Sequence, residues 1–414
     1  MVPPLDGKMI VAGLSGGIAC YKAADLVRTL TRLGAKVRVI MTAGARHFIT
    51  PLTLQTLTGQ PVATDTFDLT QESQIGHIQL ADRADLIVIA PATANVIGKI
   101  AAGIGDDLLT TVLLATRAPI IIAPAMNVNM YENPIVQDNL KRLRARGCRV
   151  VEPGEGALAC GWEGKGRLAD ASVLVAEIQR AVAVQDLCGE RVLVTAGPTR
   201  EPIDPVRFIS NRSTGKMGFA VAAAAWRRGA DVRLVSGPTS LPTPSGIHRL
   251  DVITADAMRQ VVSAEFESAS VLFMAAAVAD YRPARTARQK LKKGSGRLVL
   301  ELDRTVDILV ELAARKGPRL LVGFAAETER VIANAQRKLA EKGLDLVVAN
   351  DVSGAQSGFA ADTNAITLID RTGHRESLPL MSKDAAADRI LDRVVVLKQQ
   401  RSTTVCASGR VQSA

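Results

Sequence analysis

At 414 residues, with 47% apolar and 22% charged side chains, the chain is longer than a single hydrophobic core supports, so its composition predicts a water-soluble protein of two domains. The net charge of +10 is spread along both halves and only 3% of residues are aromatic, which argues against a nucleic-acid surface and leaves small anions as the natural partners. The five cysteines are scattered without a CxxC pair, and the first residues resemble neither a signal peptide nor a membrane span, so reduced thiols and a cytoplasmic location are expected.

Short apolar runs alternate with amphipathic stretches: MIVAGL, KVRVIM, LIVIAP, PIIIAP and CRVVEP, each followed by helical spacing. This is the strand–helix alternation of a parallel α/β sheet. It restarts at Arg191 with RVLVTAG, DVRLVSG, VLFMAAA, RLLVGFAA and DLVVAN, and closes with NAITLID. Two doubly wound Rossmann-like domains are therefore expected, over residues 1–190 and 191–414, with residues 185–190 as a polar connector. The stretch after about residue 398 lacks apolar periodicity and reads as disordered.

Ligands of such sheets sit at the carboxyl ends of strands, so the turns there are the candidate sites. The first turn, Gly13-Leu-Ser15-Gly16-Gly17, offers small residues that let backbone amides and a helix N-terminus approach a phosphate, although a merely tight turn explains it equally. It is not GxGxxG, and the second strand ends in Met41-Thr42-Ala43 with no acid for a ribose, which disfavours a nicotinamide dinucleotide and favours a mononucleotide such as FMN. Thr93 and Asn95 in the third turn suit a helix cap or a flavin edge, and Met126-Asn127 closes the fourth. His77 lies just before LIVIAP, and Cys160 sits within the glycine-rich residues 154–166, which read as a lid carrying a proton donor or a passive surface thiol.

SGGIACYK, the His77 motif, PATAN, GIGDDLL, PAMN and LACG, in this order over residues 8–180, resemble the flavin-binding cysteine decarboxylases, in particular those acting on phosphopantothenoylcysteine. The resemblance implies a flavodoxin-like domain in which FMN takes hydride from the substrate's cysteinyl carbon, CO2 is lost, and hydride returns while Cys160 supplies the proton. Ser15, Gly16, Gly17, Thr42, Thr93, Asn95 and Met126 would hold FMN. His77 would act as base or orienting group, and Asn127 would bind the substrate carboxylate.

In the second half, STGKMG lacks the glycine and hydroxyl that GxxxxGK[ST] requires at Ser210 and Met217, so it is a helix N-terminus and not a P-loop. Asp280 follows a strand and precedes a run containing Lys290, which by itself reads as a solvated face, and Lys338 and Lys342 lie four apart on one helix face, where ion pairing is the plain account. TAGPTREPIDPVRFISNRSTGKMG, AAAVADYRP, KLKK, GFAAET and VANDV, however, resemble phosphopantothenate–cysteine ligases over about residues 191–395. The resemblance implies a CTP-dependent amide ligase working through an acyl-cytidylate. Lys290 would act on the α-phosphate, Asn211 on the acyl intermediate and Asp280 on Mg2+, and Ala276, Thr305, Val306, Asp307, Ile308, Phe324, Lys338 and Lys342 would form the nucleotide pocket. Thr305-Val306-Asp307-Ile308 departs from the family's NPDI. The two halves in this order resemble the bifunctional enzymes of coenzyme A biosynthesis, which implies 4′-phosphopantothenate, L-cysteine, CTP and 4′-phosphopantothenoylcysteine as ligands and a homo-oligomer of trimeric flavin domains and dimeric ligase domains, twelve subunits in all. A purely regulatory flavin-binding module and a nicotinamide oxidoreductase are the alternatives. The presence of His77 and Cys160 weighs against the first, and the broken glycine pattern weighs against the second.

Overall fold

The computed structural model describes residues 5–66, 76–157, 161–293, 297–327, 329–351, 358 and 361–409, with side chains at all of these except 157, 351 and 402–409. The chain forms two compact units, Met1–Ala183 and Val184–Ala414.

The first unit is a parallel sheet of β1 (Met9–Leu14), β2 (Lys36–Met41), β3 (Val62–Ala63), β4 (Leu86–Ala92), β5 (Ile120–Pro124) and β6 (Arg149–Val150), in the order β3-β2-β1-β4-β5-β6. The period of a strand sends alternate residues to opposite faces. Ile10, Ala12 and Leu14 enter one core with helices Cys20–Arg32 and Ala171–Val182, while Val11 enters the other with helices Ala94–Ala102, Leu108–Ala115 and Pro134–Ala145. The order reverses between β1 and β4, so the turns after these strands diverge and leave a crevice at their carboxyl ends. Strand β3 is two residues long, too short for an apolar run to announce it. The glycine-rich stretch forms an antiparallel hairpin of β7 (Gly154–Ala157) and β8 (Glu163–Arg167).

The second unit carries β9 (Arg191–Ala196), the hairpin β10 (Arg200–Pro202) and β11 (Phe208–Ser210), β12 (Asp231–Ser236), β13 (His248–Asp251), β14 (Val271–Met274), and the hairpin β15 (Tyr281–Pro283) and β16 (Leu302–Arg304). It continues with β17 (Leu320–Glu327), β18 (Leu346–Asp351), β19 (Thr363–Asn364), β20 (Ile366–Asp370), β21 (Arg375–Ser377) and β22 (Met381–Ser382). The main sheet runs β13-β12-β9-β14-β17-β18-β20-β21; its first six strands are parallel and the last two antiparallel. Residues 185–190, read above as a connector, pack on this unit: Leu187 is fully buried and its amide donates to Arg228 O at 3.0 Å.

The expectation of disorder after residue 398 is corrected, because helix Lys383–Gly409 runs straight through that point. Composition missed the anchor: the Arg401 guanidinium pairs with the buried Asp345 and donates to Pro318 O at 2.9 Å and Arg319 O at 2.8 Å. A second anchor is the buried Arg228, at the end of helix Lys216–Arg227, which donates to Asp186 at 2.8 Å and to Asp392 at 2.8 Å, joining the connector, that helix and the C-terminal helix. Arg228→Ala removes the cation that joins these two solvent-accessible acids and is expected to lower the stability of the second unit by about 1 kcal/mol. Denaturant titration of the full chain should show the ligase-unit transition moving while the flavin-unit transition stays in place.

Candidate functional sites

In the first unit a cavity of about 1130 Å³ opens at the carboxyl ends of β1, β2, β4 and β5. Gly16, Gly17, Thr42, Thr93, Asn95, Met126 and Asn127 all line it. The turns after β1 and β2 meet backbone to backbone: a Cβ built on Gly16 would stand 2.9 Å from the Gly44 carbonyl carbon, so only glycine lets both turns present bare amides to the cavity. Thr93 caps helix Ala94–Ala102, its hydroxyl accepting from Val96 N at 3.5 Å. Asn127 caps helix Val128–Glu132, its Oδ1 accepting from Asn129 N at 2.8 Å.

Ser15 is placed differently. It is buried, its hydroxyl donates to Pro91 O at 2.8 Å and accepts from Thr93 N at 2.9 Å, and so it locks the first turn to the third. The β7–β8 hairpin docks on the fourth turn, where Met126 N donates to Gly166 O at 3.0 Å, and a Cβ on Gly166 would fall 2.2 Å from Met126 O. His77 opens helix His77–Arg83, half-buried and outside the cavity lining. Cys160 lies outside the described residues.

Three lining cations, Lys22, Lys99 and Arg167, were not singled out by the sequence. Burial lowers the Lys22 pKa and the positive charge of Arg167 presses the same way, so this end of the cavity favours an anion. Arg167 had no sequence signal because only the register of the hairpin places it there. Gly44 carried one, a glycine just past a strand end, as Gly16 is.

In the second unit the loop after β14 is held from several sides. Ala276 N donates to Thr195 Oγ1 at 3.1 Å, Asn211 Nδ2 donates to Ala277 O at 3.1 Å, and Ala279 N donates to Thr199 Oγ1 at 2.9 Å. From the opposite side Thr305 Oγ1 donates to Ala279 O at 2.6 Å and Thr305 N to Asp280 O at 3.0 Å. Asp307 accepts from Leu309 N at 3.1 Å, capping helix Ile308–Ala313, and pairs with Lys342 at 2.7 Å. Lys338 donates to Phe324 O at 2.6 Å; burial lowers its pKa, Lys342 presses the same way, and the charges of Glu327, Asp307 and Asp280 oppose them.

The fold thus gathers Asn211, Ala276, Asp280, Thr305, Asp307, Phe324, Lys338 and Lys342 around one strand-end loop. Ile308 turns into the core, Val306 is exposed, and Lys290 is exposed on the segment after β15. A small adjoining cavity of about 70 Å³ brings Phe324 beside the N-terminus of helix Lys216–Arg227 and the buried Lys383. The glycines of STGKMG serve packing: Gly215 has φ +83, and a Cβ on Gly218 would meet the Ala196 Cβ at 2.6 Å, so this helix lies hard against β9. Among the described residues no group of three or more His, Cys, Asp or Glu side chains is placed to hold a metal, and no helix is long and apolar enough to cross a membrane.

The Flavoprotein family pattern matches residues 4–183, and that of the DNA/pantothenate metabolism flavoprotein C-terminal domain matches residues 187–397. A Bacillus subtilis protein named coenzyme A biosynthesis bifunctional protein CoaBC is 49% identical over 96% of this chain and 98% of its own, and one of the same name from Escherichia coli is 47% identical over 96% and 99%. A crystal structure of the C-terminal domain of such a protein shares 41% identity over 52% of this chain and 99% of that one, with a TM-score of 0.46. The chain therefore belongs to the family of bifunctional coenzyme A biosynthesis proteins, joining a flavin-dependent phosphopantothenoylcysteine decarboxylase to a phosphopantothenate–cysteine ligase.

Proposed function

We propose that the flavin of the first unit is FMN, that the ligase uses CTP with Mg2+, and that 4′-phosphopantothenate and L-cysteine are joined at the second site before decarboxylation at the first. The observation that carries the flavin reading is the Gly16–Gly44 approach, which leaves amides uncovered beside a helix N-terminus, the arrangement a terminal phosphate needs. Bound there, FMN supplies the hydride acceptor and donor. Thr42, Thr93 and Asn95 then face it, Asn127 holds the substrate carboxylate, and Cys160 carries the proton delivered to the product. Ser15 positions the cradle and leaves the contacts to its neighbours' amides.

For the ligase, Lys338 and Lys342 offer charge beside the Phe324 carbonyl, and the loop from Ala276 to Asp280 offers backbone groups for the base. Lys290 would act on the α-phosphate, Asn211 would steady the acyl-cytidylate, and Asp280 would offer a carboxylate to Mg2+, which would supply charge neutralisation at the nucleotide phosphates. His77 lies outside the flavin cavity and Lys290 is exposed, which fits sites completed by neighbouring subunits, trimeric for the flavin units and dimeric for the ligase units. A cytoplasmic dodecamer is the assembly this reading implies.

Gly16→Ala forces the two turns apart, and its overpacking cost of about 1.4 kcal/mol or more corresponds to at least about tenfold weaker flavin retention, read from the visible absorbance of the purified protein, with ligase rates unchanged. Cys160→Ser should keep flavin and release CO2 but accumulate the oxidised enethiol; a normal yield of 4′-phosphopantetheine would remove the cysteine from the mechanism. In the ligase, Asn211→Asp should accumulate acyl-cytidylate while Lys290→Gln fails before pyrophosphate release. Failure of both variants at one step, seen by quenched-flow nucleotide analysis, would overturn this division of roles.

A further inference from the structure

A second large cavity, of about 1110 Å³, lies on the edge of the ligase sheet opposite the strand-end loops. Ser270 precedes β14, Leu320 opens β17, Arg371 lies in the turn between β20 and β21, and Leu397 and Arg401 reach in from the C-terminal helix. None of the residues assigned above to ligation or decarboxylation lines this edge. Its charges are unequal: the fully buried Asp345 carboxylate is shared by Lys316 at 2.7 Å, Arg371 at 3.2 Å and Arg401, Glu267 is shared by Arg315 at 2.9 Å and Arg319 at 3.4 Å, and Lys398 on the rim pairs with Glu190.

Five cations thus rest on two carboxylates. The arginine forks are also fixed in place, Arg401 by the Pro318 and Arg319 carbonyls and Arg319 by stacking 4.8 Å from the Phe266 ring centroid. Burial lowers the Lys316 pKa, and Arg401 and Arg371 press it further down against the pull of Asp345. Like charges held together in a partly desolvated wall are stabilised by an incoming anion.

We propose that this cavity is a second ligand site of the ligase unit that takes an organic phosphate, the phosphate against Arg319 and Arg371 near the Lys398 rim and the apolar arm along Pro318, Leu320 and Leu397. The volume suits a small organic molecule, and the positive charge of the fixed guanidinium groups draws phosphate oxygens.

Isothermal titration of the flavin-loaded full-length protein with hexyl phosphate, and separately with inorganic phosphate, tests this. The expected result is one equivalent per chain, with hexyl phosphate bound about tenfold more tightly than inorganic phosphate because part of its chain is buried. The double variant Arg371→Gln/Lys398→Gln should bind hexyl phosphate at least about tenfold more weakly with unchanged ligase turnover, and Lys290→Gln should bind it as the unmodified protein does. Equal binding by the unmodified protein and the double variant, or binding lost in Lys290→Gln, would place the phosphate at the catalytic edge and overturn the proposal, as would no binding at all. Equal affinities for the two phosphates would remove the apolar arm. If the double variant loses ligase turnover, the single change Lys398→Gln on the rim decides by the same criterion, since Asp345 then keeps all three of its cations.

Discussion

A buried parallel strand satisfies its backbone only through neighbours on both sides, and its helices must cover both faces; both sheets here obey this, and the rest follows from it. Crossover helices force every strand-to-helix turn onto one edge. The turns of the first unit after β1, β2, β4 and β5 converge on one cavity, and in the second unit the segments after β9, β14 and β17 converge likewise. Chemistry is confined to these edges because only there are backbone groups left unclaimed by the ladder. The Gly16–Gly44 contact is one way of keeping such groups bare, while the hairpin of β7 and β8 claims the Met126 amide and fixes the fourth turn.

What the sequence revealed and what it hid divide along the same line. Strand–helix alternation placed both sheets because apolar runs bounded by glycine and proline are local signals, and Gly16, Thr93 and Asn127 were visible as residues immediately beyond those runs. Residues brought in by tertiary register were not: Arg167 depends on a hairpin, and Lys383 depends on a helix entered more than a hundred residues after the turn it faces. Other roles are visible only in the structure: the Ser15 hydroxyl bridges Pro91 O and Thr93 N, and Asp307 caps a helix and pairs with Lys342. The polar composition past residue 398 gave no hint of Arg401's engagement with a carboxylate more than fifty residues away.

The ligase unit handles its buried acids in a distinctive way. Asp345 and Asp370 receive cations from the last helix, Arg401 and Arg393, and the buried Arg228 is in turn held by Asp186 and Asp392. Such pairs are costly when half made, since one charge is left in a poor solvent, and they therefore favour the one arrangement in which every partner is present.

That dependence gives the chain a direction in time. Asp370 ends a sheet strand and Asp345 immediately precedes one, but Arg393 and Arg401 are synthesised after both, and Asp392, which holds Arg228, lies beside them. The flavin unit contains all of its own strands before residue 183 and is able to close during synthesis, as domains commonly do. In the ligase sheet, by contrast, Asp370 waits for Arg393 and Asp345, already paired with Lys316 and Arg371, gains Arg401 only when the last helix is made. The ligase unit is therefore completed only once the helix Lys383–Gly409 has been made, after the flavin unit has had time to close.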